Sequence, residues 1–252
     1  MPETSLCGKT ALITGAAKRI GHAIALAFAN EGINLVVHYS HSKNEANVLV
    51  KELKERGVKS WALETDFSKP EEYGSLIERS LKVCGSLDIL VNNASIFPPS
   101  TIQNVTLENV MTSVEINAWA PFVISRAFAQ RVRQGKIINL LDTRITGYDF
   151  QHVAYILSKN MLALLTNMMA LAFAPAITVN AVAPGLILPP PGHDESYLQK
   201  LVDTVPLKRH GDPQDIAEAV VFLVKSNFIT GQIIYVDGGR HLKEPIHGPN
   251  SR

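Results

Sequence analysis

The sequence predicts a single doubly wound α/β domain, a parallel sheet with helices on both faces, and three observations carry that prediction. Short apolar runs alternate with helical patterns from Thr10 to Val236. The runs are apolar throughout and do not alternate with polar residues, as strands covered on both sides require. The first run passes through a glycine-containing turn, Thr14 to Gly21, straight into a helix. At 252 residues the chain suffices for one large domain, and no linker-like stretch divides it.

Taken in order, Thr10 to Thr14 is the opening strand, and Ile20 to Asn30 a helix stopped by Gly32. Ile33 to His38 is the second strand, which completes a β-α-β unit. The pattern continues with helix Lys43 to Arg56, strand Ser60 to Glu64, helix Pro70 to Val83 and strand Ile89 to Asn92. Helix Leu107 to Gln134, strand Lys136 to Leu140, helix Val153 to Phe173 and strand Ile177 to Ala183 follow. A closing helix, Pro213 to Val224, precedes a last strand, Gln232 to Val236. The architecture is Rossmann-like, with a domain over residues 1–241. Pro184 to His210 lies outside the alternation. It follows a strand end, where such sheets place ligands, so it reads as a substrate loop with a short helix near Glu195 to Thr204; a long surface connection is the alternative. The polar tail, residues 242–252, holds Pro245, Gly248 and Pro249 and reads as mobile.

Composition narrows the partners. Hydrophobic residues make up 46% and charged residues 19%, as in a globular protein with a large core, and a net charge of +1 gives no footprint for nucleic acid or an anionic membrane. The longest apolar stretch, Met161 to Val179, contains Thr166, Asn167 and Pro175 and follows Lys159, so it reads as a buried or interfacial helix, not a membrane span. Cys7 and Cys84 stand apart from any Cys-x-x-Cys or Cys/His cluster, which argues against a disulfide framework or a metal site and fits a reducing cytoplasm. No signal-peptide stretch opens the chain.

Two regions carry chemistry. At the Thr14–Gly21 turn, free amides and the helix dipole favour a phosphate; Gly15 permits the tight bend and Gly21 close helix–sheet packing, with Ile20 between Gly21 and Arg19. Arg19 stands where the usual fingerprint has its middle glycine, adding a cation whose fork can reach a pyrophosphate or a substrate oxygen. The second strand ends His38-Tyr39-Ser40-His41-Ser42. With no carboxylate there to repel a 2'-phosphate, and with Ser40, His41 and Ser42 able to bond one, NADPH is favoured over NADH. Asp66 and Phe67 follow the third strand and suit an adenine amino group and ring; Asp66 could equally cap the next helix. In the second region Tyr155 and Lys159 are four apart, on one helix face, so the ammonium can ease ionisation of the phenol for proton transfer. Asp142 lies upstream of that tyrosine.

These residues, in this order, resemble the short-chain dehydrogenase/reductase superfamily across nearly the whole chain. The likeness rests on the Thr14–Gly21 turn, Asp66, Asn92-Asn93-Ala94, Asn117, Tyr155-x-x-x-Lys159, Pro184-Gly185 and Thr230-Gly231. It implies Tyr155 as catalytic acid/base, Lys159 on the nicotinamide ribose, Asn117 on a proton-relay water, and Asn93, Ala94, Ser95, Pro184 and Gly185 beside the cofactor. It also implies a homotetramer. Three departures are more telling: Asp142 stands where the family has its catalytic serine, Arg19 replaces a glycine, and Asn-Asn-Ala continues as Ser95-Ile96-Phe97. Together they resemble the pteridine reductase branch, including its dihydromonapterin- and dihydrofolate-reducing relatives. That likeness implies a pterin held by Arg19, Ser95, Phe97, Asp142, Tyr155 and Leu186.

The chemistry of the substitutions agrees. A carboxylate would repel an oxyanion, whereas it suits an electrophile whose ring nitrogen gains a proton. A flat pterin suits an aromatic wall such as Phe97. Phe97 could instead anchor the loop before Pro98-Pro99, and Asp142 could pair with Arg144 or cap a helix. Two further readings are a 3-oxoacyl-type carbonyl reductase and a catalytically idle dinucleotide sensor.

Overall fold

Four consecutive buried residues place β1 (Thr10–Ile13) in the interior of the sheet, and α1 (Arg19–Asn30) follows it through the glycine turn. The computed structural model describes residues 5–190, 192–243 and 246–247. Its elements continue as β2 (Asn34–Tyr39), α2 (Lys43–Glu55), β3 (Ser60–Glu64), α3 (Pro70–Gly74), α4 (Leu76–Cys84), β4 (Ile89–Asn92), α5 (Leu107–Val114) and α6 (Ala120–Arg131). Then come β5 (Gly135–Leu140), β6 (Tyr148–Asp149), α7 (Val153–Ala172), β7 (Ile177–Pro184), α8 (Glu195–Gln199), α9 (Pro213–Lys225), β8 (Ile233–Val236), α10 (Arg240–Lys243) and β9 (Ile246–His247). Seven strands form one parallel sheet in the order β3-β2-β1-β4-β5-β7-β8. The order reverses between β1 and β4, which opens a crevice at their carboxyl ends.

Successive residues of the central strands serve opposite layers. Ala11 and Ile13 of β1, and Ile89 and Val91 of β4, pack with Ile24 and Phe28 of α1 and Val220 of α9. Leu12 and Leu90 face the other way, onto Leu76, Ile124, Phe128 and Met169. Phe28 and Phe128 are fully buried on the two sides, and each contributes roughly 2–3 kcal/mol of apolar burial. This two-sided demand explains the uninterrupted apolar runs of the sequence.

Two predicted helices are divided. Helix Pro70 to Val83 breaks at Ser75, whose hydroxyl donates to the Glu72 carbonyl at 2.9 Å just after Gly74. Helix Leu107 to Gln134 is interrupted by a π-helical turn, Glu115–Trp119, centred on Asn117, and ends at Arg131 because Val132 is extended. In the loop after β7, α8 is capped by Asp194 and followed by a 3-10 turn, Val202–Thr204. Leu186, Leu198 and Val205 form a small core beneath that loop. Of the tail read as mobile, Leu242 and Lys243 belong to α10, and Ile246–His247 pair with Tyr148–Asp149 of β6; its other residues lie outside those described. Among the described residues, no helix is long and apolar enough to cross a membrane, and no His/Cys/Asp/Glu group could hold a metal ion.

Candidate active site

The turn between β1 and α1 is fixed from three sides. Gly15 adopts φ +63°, and a Cβ on Gly21 would stand 2.3 Å from the Gly15 carbonyl oxygen, so neither position accepts a side chain without backbone movement. Asn93 Nδ2 donates to the Thr14 and Gly15 carbonyls at 2.8 and 3.0 Å, and Thr14 Oγ1 accepts from the amides of Asn93 and Ala94. From β2, the buried His38 accepts the Gly15 amide on Nδ1 at 3.0 Å, which leaves Nε2–H to donate to the Thr65 carbonyl at 3.1 Å. Burial lowers the His38 pKa from 6.5 to about 4, so the ring is a neutral spacer at physiological pH. Arg19 holds φ +56°, a region costing a non-glycine residue about 1–2 kcal/mol, and its Nη2 donates to the Pro189 carbonyl at 2.8 Å. The substitution of the usual glycine therefore ties the turn to the loop after β7.

β5 and α7 deliver the acid pair. The Tyr155 hydroxyl donates to Asp142 Oδ2 at 2.9 Å, and Asp142 Oδ1 accepts from the Arg144 amide at 2.8 Å, capping the 3-10 turn Thr143–Thr146. Lys159 Nζ donates to the Leu140 carbonyl at 2.8 Å and lies 5.7 Å from the centroid of the Tyr155 ring. Burial lowers Lys159 to about 8, against the opposing pull of Asp142. The expected easing of Tyr155 ionisation by Lys159 is not what this geometry gives. Burial, reinforced by the Asp142 charge, raises the phenol well above its ordinary value; the opposing cation is Arg144. Tyr155 is thus kept protonated, as a donor must be.

These groups line one cavity of about 600 Å³. Of the residues named from the sequence, Gly15, Arg19, Ile20, Gly21, Ser40, His41, Ser42, Asn93, Ala94, Ser95, Phe97, Asp142, Tyr155, Lys159, Pro184, Gly185 and Leu186 line it. The Phe97 ring stands edge-on to Tyr155 (4.6 Å between centroids, 85°) and stacks on His152 at 3.8 Å. Phe97 therefore borders the cavity beside the acid, with a histidine packed on its ring. Arg144, Tyr197 and Lys18 also line the cavity; none was named as a site residue from the sequence, where Arg144 entered only as a possible partner of Asp142. Arg144 could have been suspected from its place two residues after Asp142; for Tyr197 only its position in the substrate loop offered a hint.

Three predicted residues are placed elsewhere. Phe67 is buried, stacked on His38 at 4.7 Å and edge-on to Tyr73, so it belongs to the core beneath β2 and covers no ligand in the cavity. Asp66 accepts the amide and hydroxyl of Ser68 at 2.9 and 2.8 Å, which holds its carboxylate below the usual range. It borders a smaller adjoining pocket of about 370 Å³ that Ser40 and His41 also line. Asn117 lies behind the wall. Its Oδ1 accepts from Ser95 Oγ and the Ile96 amide, and its Nδ2 donates to the Ile96 carbonyl and to Ser158 Oγ. All side-chain bonding capacity of Asn117 is thereby engaged, so a relay water could be held only by its main chain; the side chain braces the Ser95–Phe97 wall.

Residues 15–241 match the family model described as enoyl-(acyl carrier protein) reductase. The chain is 36% identical over 244 residues to the 3-oxoacyl-[acyl-carrier-protein] reductase FabG of Staphylococcus epidermidis, covering 93% of this chain and 99% of that one. It is 32% identical to glucose 1-dehydrogenase 2 of Bacillus subtilis, covering 94% and 96%. Among solved structures it is similar to the FolM alternative dihydrofolate reductase 1 of Brucella canis complexed with NADP, with a TM-score of 0.91, 26% identity and 98% of each chain covered. A blue fluorescent protein from a metagenomic library, in complex with NADPH, aligns with a TM-score of 0.87 and 33% identity, covering 94% and 99%.

Proposed function

The chain belongs to the short-chain dehydrogenase/reductase family, and from that premise we propose that it is an NADPH-dependent reductase of a pterin, converting a dihydropterin to the tetrahydro form. The observation that carries the reading is the Tyr155–Asp142 hydrogen bond of 2.9 Å. The donor set fits the cofactor. Gly15 to Gly21 presents the start of α1 to a phosphate, Lys18 and Arg19 add positive charge, and Asp142 is the one carboxylate lining the cavity among the described residues. The likeness to proteins solved with NADP or NADPH supports the same choice. Ser40, His41 and Ser42 would meet the 2'-phosphate, and Lys159 the nicotinamide ribose.

When bound, NADPH supplies a hydride. Tyr155 gives its proton to the ring nitrogen beside the reduced carbon; the carboxylate of Asp142, which accepts the phenol hydrogen bond at 2.9 Å, takes up a proton from solvent and passes it to the phenolate oxygen, restoring the donor. Phe97 and Tyr197 border the flat ring, while Arg19 and Ser95 bond its edge. Leu186 closes the side facing the loop. The likeness to FolM dihydrofolate reductase supports this substrate class. The exposed apolar residues Leu107 and Met111 of α5 and Leu164, Met168 and Leu171 of α7 support self-association, with a homotetramer as the proposed assembly.

The identity with FabG favours a second reading, reduction of a 3-oxoacyl ester. Against it stands Asp142: a carboxylate roughly 4 Å from a developing oxyanion costs about 4 kcal/mol at an effective dielectric near 20. Oxidation of NADPH with dihydrobiopterin, dihydromonapterin and dihydrofolate, beside a 3-oxoacyl ester, decides between them. Turnover confined to the pterins supports the proposal; turnover of the ester alone establishes the second reading.

A further inference from the structure

A charged cluster beside the acid pair has no part in the mechanism so far. Asp149, with its side chain 1% exposed, accepts from Arg144 Nη1 on Oδ2 at 2.6 Å and from the Gln151 amide on Oδ1 at 2.8 Å, and the Nδ1 of His152 lies 3.0 Å from Oδ2. Burial works against the Asp149 carboxylate, yet the bond from His152 and the Arg144 charge outweigh it and leave its pKa below the ordinary value. Asp149 is therefore a fixed anion, and it anchors the guanidinium. Arg144 also lies over the Phe97 ring, 4.8 Å from its centroid, and brings its Nε within 3.9 Å of Asp142 Oδ1. Its amide bonds that same oxygen, so Oδ2 is the one presented to Tyr155.

We propose that Arg144 is the positioning cation of the acid pair: held by Asp149, it turns one Asp142 oxygen toward Tyr155 and sets the pH range over which the phenol releases its proton. The proposal rests on the reading of Tyr155 as the proton donor of a reductase. Behind the turn that carries Arg144, Asp237 accepts from Thr143 Oγ1 and from the His241 amide, the His241 ring meets the same carboxylate, and the buried Arg240 of α10 also lines the cavity. Lys159 of α7 is bonded to the Leu140 carbonyl, and Arg19 of α1 to the Pro189 carbonyl. His152, at the start of α7, packs on Phe97 and meets Asp149, and Tyr197 of α8 lies across the cavity. Arg144 meets Asp142 twice, through its backbone amide and its Nε. Arginine suits the task because its planar fork can hold two carboxylates in one plane while lying on a ring.

The test compares wild type with Arg144→Met, Arg144→Gln and Arg144→Lys, each saturated with NADPH and the substrate turned over best by wild type, with kcat and KM followed against pH. Loss of the cation that opposes the raised Tyr155 phenol disfavours its anion further and moves the alkaline limb of kcat upward. About one pH unit is expected in the two neutral variants. With it, kcat at pH 7 should fall roughly tenfold while KM for NADPH stays within about twofold, and the lysine variant should return the limb most of the way. The glutamine protein keeps the comparison intact should the methionine protein not fold. A limb that stays in place in the neutral variants, even with lower kcat, would show that Arg144 only braces the loop and would overturn the proposal. So would a lysine variant as displaced as the neutral ones. Absence of NADPH oxidation by wild type on pterin and ketone alike would instead remove the reductase reading beneath it.

Discussion

Acid should loosen the β1–α1 turn through a single residue, His38. Its neutral ring is wedged between the Gly15 amide and the Thr65 carbonyl, fully buried, with a pKa lowered by that burial from 6.5 to about 4. The unfolded chain therefore takes up the proton before the folded one does. A depressed histidine contributes its full stability above roughly pH 6.5, and the contribution drains away as pH falls toward 4, at up to 1.36 kcal/mol per unit. At about pH 4.5 the unfolded imidazole is almost wholly protonated and the folded one mostly is not, a linkage loss of about 2.5 kcal/mol. His38→Gln keeps an acceptor and a donor near these partners but cannot titrate. Urea unfolding of both proteins at about pH 7.5 and about pH 4.5 isolates the effect from the carboxylates common to them. The wild type should lose about 2 to 3 kcal/mol more than the variant over that interval. Parallel losses in the two proteins would refute the reasoning, because they would mean that the ring is protonated within the fold or that the turn yields to admit water.

Three further outcomes follow from the geometry. Tyr155→Phe removes the proton donor but leaves the walls of the cavity, so kcat should fall about 10²- to 10⁴-fold while NADPH binding, read by fluorescence, stays within about threefold. Gly21→Ala places a Cβ 2.3 Å from the Gly15 oxygen and 2.7 Å from Asn93 Nδ2; it should destabilise the protein by roughly 1–3 kcal/mol and weaken NADPH binding, and an unchanged dissociation constant would contradict the packing described. Arg19→Gly trades relief of about 1–2 kcal/mol of backbone strain against loss of a bond worth about 1 kcal/mol, so stability should move by no more than about 1 kcal/mol. The pterin KM should meanwhile rise tenfold or more, and steady-state kinetics beside a melting curve would reveal either failure.

Much of this arrangement was legible in the sequence because it depends on local pattern. The strands announce themselves as apolar runs since both faces of the sheet are covered, and Leu12 and Ile13 serve opposite layers with equally apolar side chains. The nearness of Asp142 to Tyr155 was legible only through the family resemblance, which puts Asp142 at the position of the catalytic serine; it lies two residues past β5, and Tyr155 in the first turn of α7. What escaped depends on contacts that spacing does not encode. His38 hides within an apolar strand, and nothing local to it names Gly15 as its partner. Phe67 is adjacent to Asp66, yet its ring turns to the core under β2 and stacks on His38. The cation acting on Tyr155 is Arg144, although Lys159 has the familiar helical spacing, because the ammonium is drawn to the end of β5 by the Leu140 carbonyl. The π-helical turn at Asn117 follows from four side-chain bonds to Ser95, Ile96 and Ser158, none of which a helical periodicity records.

The two amides at the head of the nucleotide turn both end on one residue: Gly15 N–H on the His38 ring and Ala16 N–H on the His38 carbonyl, at 3.0 Å each. They are consequently unavailable to a phosphate, and the negative charge must be met further along, where Lys18 and Arg19 open α1. In exchange, the curvature of the turn exists before any nucleotide arrives. Its ordering entropy is borne once, during folding, and is not charged again to each binding event, so affinity for the nucleotide reflects contacts made rather than a loop being gathered.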